Sequence, residues 1–389
     1  MVVAGVGLSQ AADSLQAAGA ALEQALTPFA GEAPAALLCF TSVDRAPHLA
    51  AVREVLIAGS GCGCVVGCTG SGVIAAQREL EVESAIVVAA LGGEGVRATP
   101  FHDPHFYDDN RTSGHRAAMA VEGGMGDNPL LIAFLDPFSM AGTEFLTGVA
   151  ELAGRLPVVG GAAADDGAHG ATYQMGPAGV TSRGACGLLL SGVASHQVYL
   201  SQACHPLMAP EMVTSATGSR IDTIDDRPAM AVLGEVLRGE GIMQFSAVPG
   251  RVYLAIPLDP TSATLRPGEY TARDVVGVDP ESGAVFVADE VVTGQAVSFA
   301  LRDGGRTVRG MQRMVTEAAK AFPEPAFALY VDCRGRGRGL YRRPNCDAAI
   351  IGNAFPHLPL AGIFSYAELG PVEQTNRLHN YAGVLTLLG

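Results

Sequence analysis

The chain is short of positive charge. Its 389 residues carry 25 Lys and Arg against 39 Asp and Glu, a formal net charge of -14, and Lys320 is its only lysine. A nucleic acid or an anionic membrane surface needs a basic face, so neither is an expected partner. Charged residues of all kinds make up 16 %, against 48 % hydrophobic, which excludes a disordered chain and predicts a sizeable core. Long apolar runs are missing too. The longest, near Ser84–Leu91 and Leu130–Leu135, are far too short to span a bilayer. The first residues, Met1 to Val6, show no basic segment and no cleavage site of a secretory leader. The expectation is a soluble cytoplasmic protein without membrane insertion.

Several chemical signatures are also missing. The eight cysteines (Cys39, Cys62, Cys64, Cys68, Cys186, Cys204, Cys333 and Cys346) are scattered, unlike a disulfide scaffold. Cys62-x-Cys64-x₃-Cys68 lacks zinc spacing. His102 and His105, with Asp103, Asp108 and Asp109, lie in a polar stretch from Thr99 to Arg111 that reads as a loop. It has no helical period to put both imidazoles on one face, so no metal is expected. Gly70-Ser71-Gly72 is not a dinucleotide fingerprint, and there is no P-loop. Ser71 and Ser365 lack the G-x-S-x-G context of a hydrolase.

What is present is a layered pattern. Up to about Gly167 apolar strands alternate with helices, as in an α/β sheet. Beyond it, Ala185–Val193 and Gln197–Cys204 leave no room for a helix between them. Met212–Ala216 and Arg220–Ile224 read as a hairpin across Thr217-Gly218-Ser219. The fold class expected is α/β (mixed α+β), a two-domain layered structure of mixed sheets flanked by helices. The composition changes near Asp225.

Three stretches carry candidate chemistry. A buried strand, Leu358 to Phe364, opens into Ser365, Tyr366 and Glu368, and Gly370-Pro371 is expected to turn the chain. A second strand, Ala326–Val331, opens into Cys333, followed by Arg334, Arg336 and Arg338. Three guanidiniums there predict a lowered thiol pKa or a held anion. The two strands with the helix between them form a β–α–β unit, which puts both exits on one sheet edge. Third, Gly160-Gly161 runs into Asp165-Asp166, carboxylates suited to an ammonium group.

The chain resembles the FIST proteins, sensory modules built of FIST N and FIST C domains. The resemblance rests on Val66 to Ile74, Pro157 to Asp165, Ala203-Cys204-His205-Pro206, Met212-Val213-Thr214 and Ile224 to Ala229. It continues through Phe299 to Asp303, Cys333 to Gly337, Gly362 to Pro371 and Leu378 to Tyr381. Ala367 stands where the family often has Gly, and Leu369 where it often has Ile. The implied division is an extension over 1–34, a FIST N-type domain over 35–225 and a FIST C-type domain over 226–389. The resemblance implies a sensor of a small ligand, an amino acid or other small anion or zwitterion, that signals through a separate partner protein. No cofactor is predicted; haem is implied only by some bacterial relatives that look like nitric oxide sensors. The expected ligand-binding residues are Cys333, Arg334, Arg336, Tyr366 and Glu368, with Gly161 and Asp165 opposite. One alternative is an enzyme with Cys333 as nucleophile and His379 or His205 as base. Another is a protein-interaction adaptor.

Overall fold

The computed structural model describes residues 1–244 and 248–389. The chain divides into two compact units, one of Met1–Leu200 with Met311–Gly389, the other of Ser201–Gly310. The first unit is built from one pattern used three times.

The first repeat runs β1 (Val3–Ser9), α1 (Ser14–Leu26), β2 (Ala36–Ser42), α2 (Leu49–Ser60), β3 (Val65–Gly70), β4 (Gly72–Ala75), β5 (Arg78–Leu80) and β6 (Ile86–Gly92). The second runs β7 (Arg97–Asp103), α3 (Asn110–Val121), β8 (Leu130–Leu135), α4 (Glu144–Ala153), β9 (Val158–Ala162), β10 (Gln174–Gly176), β11 (Gly179–Thr181) and β12 (Ala185–Ser191). The third opens with β13 (His196–Gln202) and is interrupted. The second unit follows, with β14 (Cys204–Pro206), β15 (Glu211–Thr217), β16 (Arg220–Ile224), β17 (Arg227–Pro228), α5 (Ala229–Gly239), β18 (Val252–Pro257), β19 (Tyr270–Asp279), β20 (Ala284–Val287) and β21 (Ala296–Arg302). The pattern resumes with α6 (Gly304–Ala321), β22 (Phe327–Cys333), the short α7 (Gly337–Tyr341), α8 (Cys346–Ala354), β23 (Leu360–Ser365), β24 (Ala367–Val372), β25 (Thr375–His379) and β26 (Ala382–Leu388).

Each repeat supplies one parallel pair: β2 with β3, β8 with β9, β22 with β23. Each then gives its hairpin away. The β4–β5 hairpin joins β23, β10–β11 joins β3, and β24–β25 joins β9. Three six-stranded sheets result. Alternation along the strands sends one face of all three into a shared apolar interior, which holds Phe40, Phe134 and Val331 together. The opposite faces carry separate cores against the helices. The second unit has its own core around Val213, Leu254 and Phe299.

One glycine per repeat marks the register. A Cβ at Gly67, Gly160 or Gly362 would come within 1.8, 2.0 or 1.8 Å of the carbonyl oxygen of Cys39, Ala133 or Tyr330. The neighbouring parallel strand therefore lies too close for any side chain at these three positions. Three further hydrogen bonds close a ring. Ser71 N–H donates to Phe364 O (3.1 Å), Tyr366 N–H to Ala162 O (3.0 Å) and Ala164 N–H to Thr69 O (2.9 Å). Ser71 and Tyr366 each follow their repeat's glycine by the same number of residues, as does Ala164, so the ring has approximate threefold symmetry.

Two local expectations fail. Thr99 to Asp103 lies in β7, paired along its length with β12, rather than in a loop. The strand is an edge with one half-exposed face, so it tolerates the polar residues that hid it. Gly370-Pro371 does not turn the chain, since β24 runs through it to Val372. Pro371 lies past the last β9 pair, at Leu369, and faces only β25, where its missing N–H has no ladder position to break.

Candidate functional site

Among the shared-interior residues, most layers are apolar, but the carboxyl ends of the parallel strands are polar. Position by position, Ser42, Asp136 and Cys333 correspond across the repeats, each two residues beyond the inner-facing Phe40, Phe134 or Val331 of β2, β8 or β22. Val73, Gln174 and Glu368 also correspond, because each pairs with the residue that follows the marker glycine. Glu368 is fully buried. Its Oε1 accepts from Ser365 Oγ (2.8 Å) and its Oε2 from Ala382 N–H (3.2 Å). Burial pushes this carboxyl up to about 8, against the pull of the Ser365 and Ala382 hydrogen bonds, so it holds its proton at neutral pH. In the second repeat Gln174 Oε1 accepts from Gly184 N–H (3.0 Å), the counterpart of Ala382. Its amide donates to Thr172 Oγ1 (3.1 Å), which in turn donates to Asp136 Oδ1 (2.6 Å).

Cys333 ends β22 inside this layer. Burial, then the charge of Glu368, pushes its thiol well above its ordinary value. The expected activation by arginines does not occur, because each guanidinium goes elsewhere. Arg334 reaches Asp165 (Nη1–Oδ1 3.4 Å). Arg336 turns to the helix side of the sheet, where its Nε meets Asp332 (2.7 Å) and its Nη2 Asp347 (2.6 Å), all fully buried. Arg338 pairs with Glu83 (3.2 Å).

The seven expected site residues therefore fall into three places. Cys333 and Glu368 lie in the buried layer, and Gly161 is there as backbone. A Cβ at Gly161 would sit 2.7 Å from Ala367 O, so its absence lets β24 deliver Glu368. Arg334, Asp165 and Tyr366 form the rim. Tyr366 is half-exposed, and the Arg334 and Asp165 side chains are 36 % and 7 % exposed. Arg336 belongs to neither, being the hub of a buried cluster. Tyr330 donates to Asp347 (2.9 Å), and Glu79 accepts the N–H groups of Cys346 (3.1 Å) and Ala348 (2.8 Å) at the start of α8. Burial, then the Asp347 charge, raises the Glu79 carboxyl to about 7. Sequence reasoning missed Asp332, Asp347, Glu79, Asp136 and Gln174. Asp332 and Asp136 are single polar residues at the end of apolar runs, and none of the five stands in a motif that marks it before the fold brings it to its partners.

The proposed bases are occupied. His379 is buried, pushed down to about 4 by burial, and its Nε2 bonds Gly370 O (3.0 Å). His205 Nε2 bonds Thr307 Oγ1 (3.1 Å) in the second unit. His102 in β7 and His105 in the turn beyond it separate, His102 to Thr181 (2.9 Å) and His105 to Asp108 (3.5 Å). Among the described residues, no three His, Cys, Asp or Glu side chains are grouped to hold a metal ion. No described helix is long and apolar enough to cross a membrane. A cavity of about 630 Å³ lies away from this chemistry, lined by apolar residues including Val6, Ile351 and Phe355.

This polar end of a three-repeat sheet assembly lies within a sensory class of protein. The FIST N domain matches residues 35–227 and the FIST C domain residues 229–371, so the chain belongs to the FIST family of signal-transduction sensory domains. An uncharacterized protein of Mycobacterium tuberculosis is 29 % identical over 98 % of both chains. An uncharacterized protein of Mycobacterium bovis is 28 % identical, also over 98 % of both. Among solved structures, a cyanuric acid hydrolase from A. caulinodans matches with a TM-score of 0.36 and 11 % identity, over 100 % of this chain and 99 % of that one. That likeness is too loose to bring a substrate or mechanism to this chain.

Proposed function

We propose that the polar end of the three-repeat unit binds a small zwitterion or anion, such as an amino acid, and that a separate partner protein reads the bound state. The reading places the protein in the cytoplasm. The observation that carries it is the Arg334–Asp165 pair. Two opposite charges from different repeats stand at the rim with a 3.4 Å gap, one of them largely buried. A ligand carboxylate would take the Arg334 fork and an ammonium would take Asp165. Tyr366 would cover the ligand, while Glu368 and Cys333 would supply hydrogen bonds beneath it. A binder that consumes nothing agrees with a thiol held in its protonated form.

The test is a thermal-shift screen of amino acids, nucleotides and haem. A specific amino acid or small anion should raise Tm in the parent protein. Arg334→Ala, Tyr366→Ala and Glu368→Gln should each lose the rise. An unchanged rise in all three variants would move the ligand elsewhere. Turnover of the ligand would instead make Cys333 a nucleophile, and a Soret band on adding haem would make the site a haem pocket.

A further inference from the structure

β1 and β7 are corresponding edge strands, each the outermost of its sheet. Along β1 the backbone groups point alternately to β6 and to the open side. Leu8 points to the open side. Its N–H donates to Gln24 Oε1 (3.1 Å), and its C=O accepts from Gln24 Nε2 (3.2 Å). One side-chain carboxamide thus caps both groups, where a neighbouring strand would otherwise lie. Val6, two residues back, directs its N–H and C=O the same way. Val6 is partly exposed, and among the described residues neither group has a hydrogen-bond partner. Ala4, two residues further back, is buried.

The second repeat closes the equivalent place. Its counterpart of Val6 is Pro100, which has no N–H to leave unmet. Its counterpart of Leu8 is His102, and a Cβ at Gly176 would come within 2.9 Å of the His102 ring. The hairpin end therefore lies directly against the edge strand. Arg53 ties it down, donating to the carbonyls of Gly176 (2.9 Å) and Pro177 (2.8 Å). In the first repeat the residues corresponding to Gly176 and Pro177 are Ala75 and Ala76. They line, with Val6, the cavity of about 630 Å³, and Ile351, Phe355 and Leu358 supply apolar walls.

We propose that this cavity binds a small uncharged molecule with an apolar body and a primary carboxamide or lactam group. Such a group presents N–H and C=O on one edge, as the Gln24 carboxamide does at Leu8. Val6 N–H donates to the ligand carbonyl, and Val6 C=O accepts from the ligand N–H. The apolar body lies against Ile351, Phe355 and Leu358. The volume falls within the range of small-molecule sites, about 300–1,000 Å³. A partner's strand would need a run of free edge. Only Val6 offers one, since Leu8 is capped and Ala4 is buried.

Thermal-shift titrations with hexanamide and with ε-caprolactam test this. The parent protein should show a saturating rise in Tm, about 2 °C at tenfold excess over Kd. N-methylcaprolactam keeps the ring and carbonyl but cannot donate, and should bind several-fold more weakly. Val6→Pro copies the second repeat and should abolish the response. If that variant fails to fold, Leu358→Trp serves, since an indole at the wall takes up the space of the ligand body. Arg334→Ala should keep the response, which separates this cavity from the rim. The proposal is overturned by no saturable response in the parent protein, by equal binding of N-methylcaprolactam, by an undiminished response in Val6→Pro or its substitute, or by a response lost in Arg334→Ala.

Discussion

The second and third repeats share a backbone frame but not a chemistry. Behind the sheet, where the third repeat has Tyr330, Asp332 and Arg336, the second has Ala133, Leu135 and Ser139. Leu135 and Ala133 belong to an ordinary apolar core. The frame therefore forms without any buried ion pair. Burying two carboxylates and a guanidinium gains little net stability, since desolvation offsets the attraction. What the cluster does is fix the Cys333–Arg338 turn. Arg336 anchors it from below and Arg334 N–H bonds Ser365 O (2.8 Å), so the rim and the β23 exit are held in one geometry. The comparison teaches that polarity in the third repeat is a specialisation laid over a structural unit that does not need it.

The strongest way to break that view is Arg336→Met. Removing the cation strands Asp332 and Asp347 in the interior and should cost about 3–5 kcal/mol, read from the denaturant midpoint. Adding Asp332→Leu and Asp347→Ala makes the third repeat resemble the second, and should bring stability back to within about 2 kcal/mol of the parent. If the triple variant stays as unstable as the single one, the frame does depend on its charges.

A smaller effect concerns pH. The Glu368 carboxyl is raised in the folded state, from 4.5 to about 8. Between those values the unfolded chain has lost the proton and the folded one keeps it. Stability should therefore fall as pH rises through that window, by at most about 1.4 kcal/mol per pH unit from this group. Glu79, raised to about 7, acts with the same sign. Glu368→Gln copies the second repeat's Gln174 and should flatten the slope, measured as Tm between pH 5 and 8. A slope unchanged by the substitution would mean that Glu368 ionises normally. Smallest of all, Arg338→Ala should shift stability by less than about 1 kcal/mol, since its partners are solvent-screened.

The sequence made some of this legible. The strand from Leu360, the hairpin over Thr217–Gly218–Ser219 and the α8 span were readable from apolar runs and turn residues. The nearness of the Cys333 turn to the Tyr366–Glu368 exit followed from the β–α–β unit. The threefold pattern was not readable. Its equivalences lie in register, and the aligned residues differ in kind: Val73, Gln174 and Glu368 share a place but no chemistry. The third copy is also split by the unit over Ser201–Gly310. The direction of the arginines was hidden for a related reason. Alternating Arg residues read as one positive loop, yet each is drawn to different acids: Arg334 to Asp165 and Arg338 to Glu83, far away in the chain, and Arg336 to Asp332 and Asp347 behind the sheet.

The exchanged hairpins bear on how the chain is made. Ile74 finds its strand partner at Gly362, and Leu369 finds its own at Gly160. A ribosome that has finished the first repeat has produced a hairpin whose docking edge does not yet exist. The sheet beside β9 also stays open until β24 emerges. Ring closure is thus postponed almost to the end of synthesis, and the nascent chain carries bare strand edges for most of that time. Chaperone demand during translation should track the length of the segment inserted into the third repeat, because that insertion lengthens the wait.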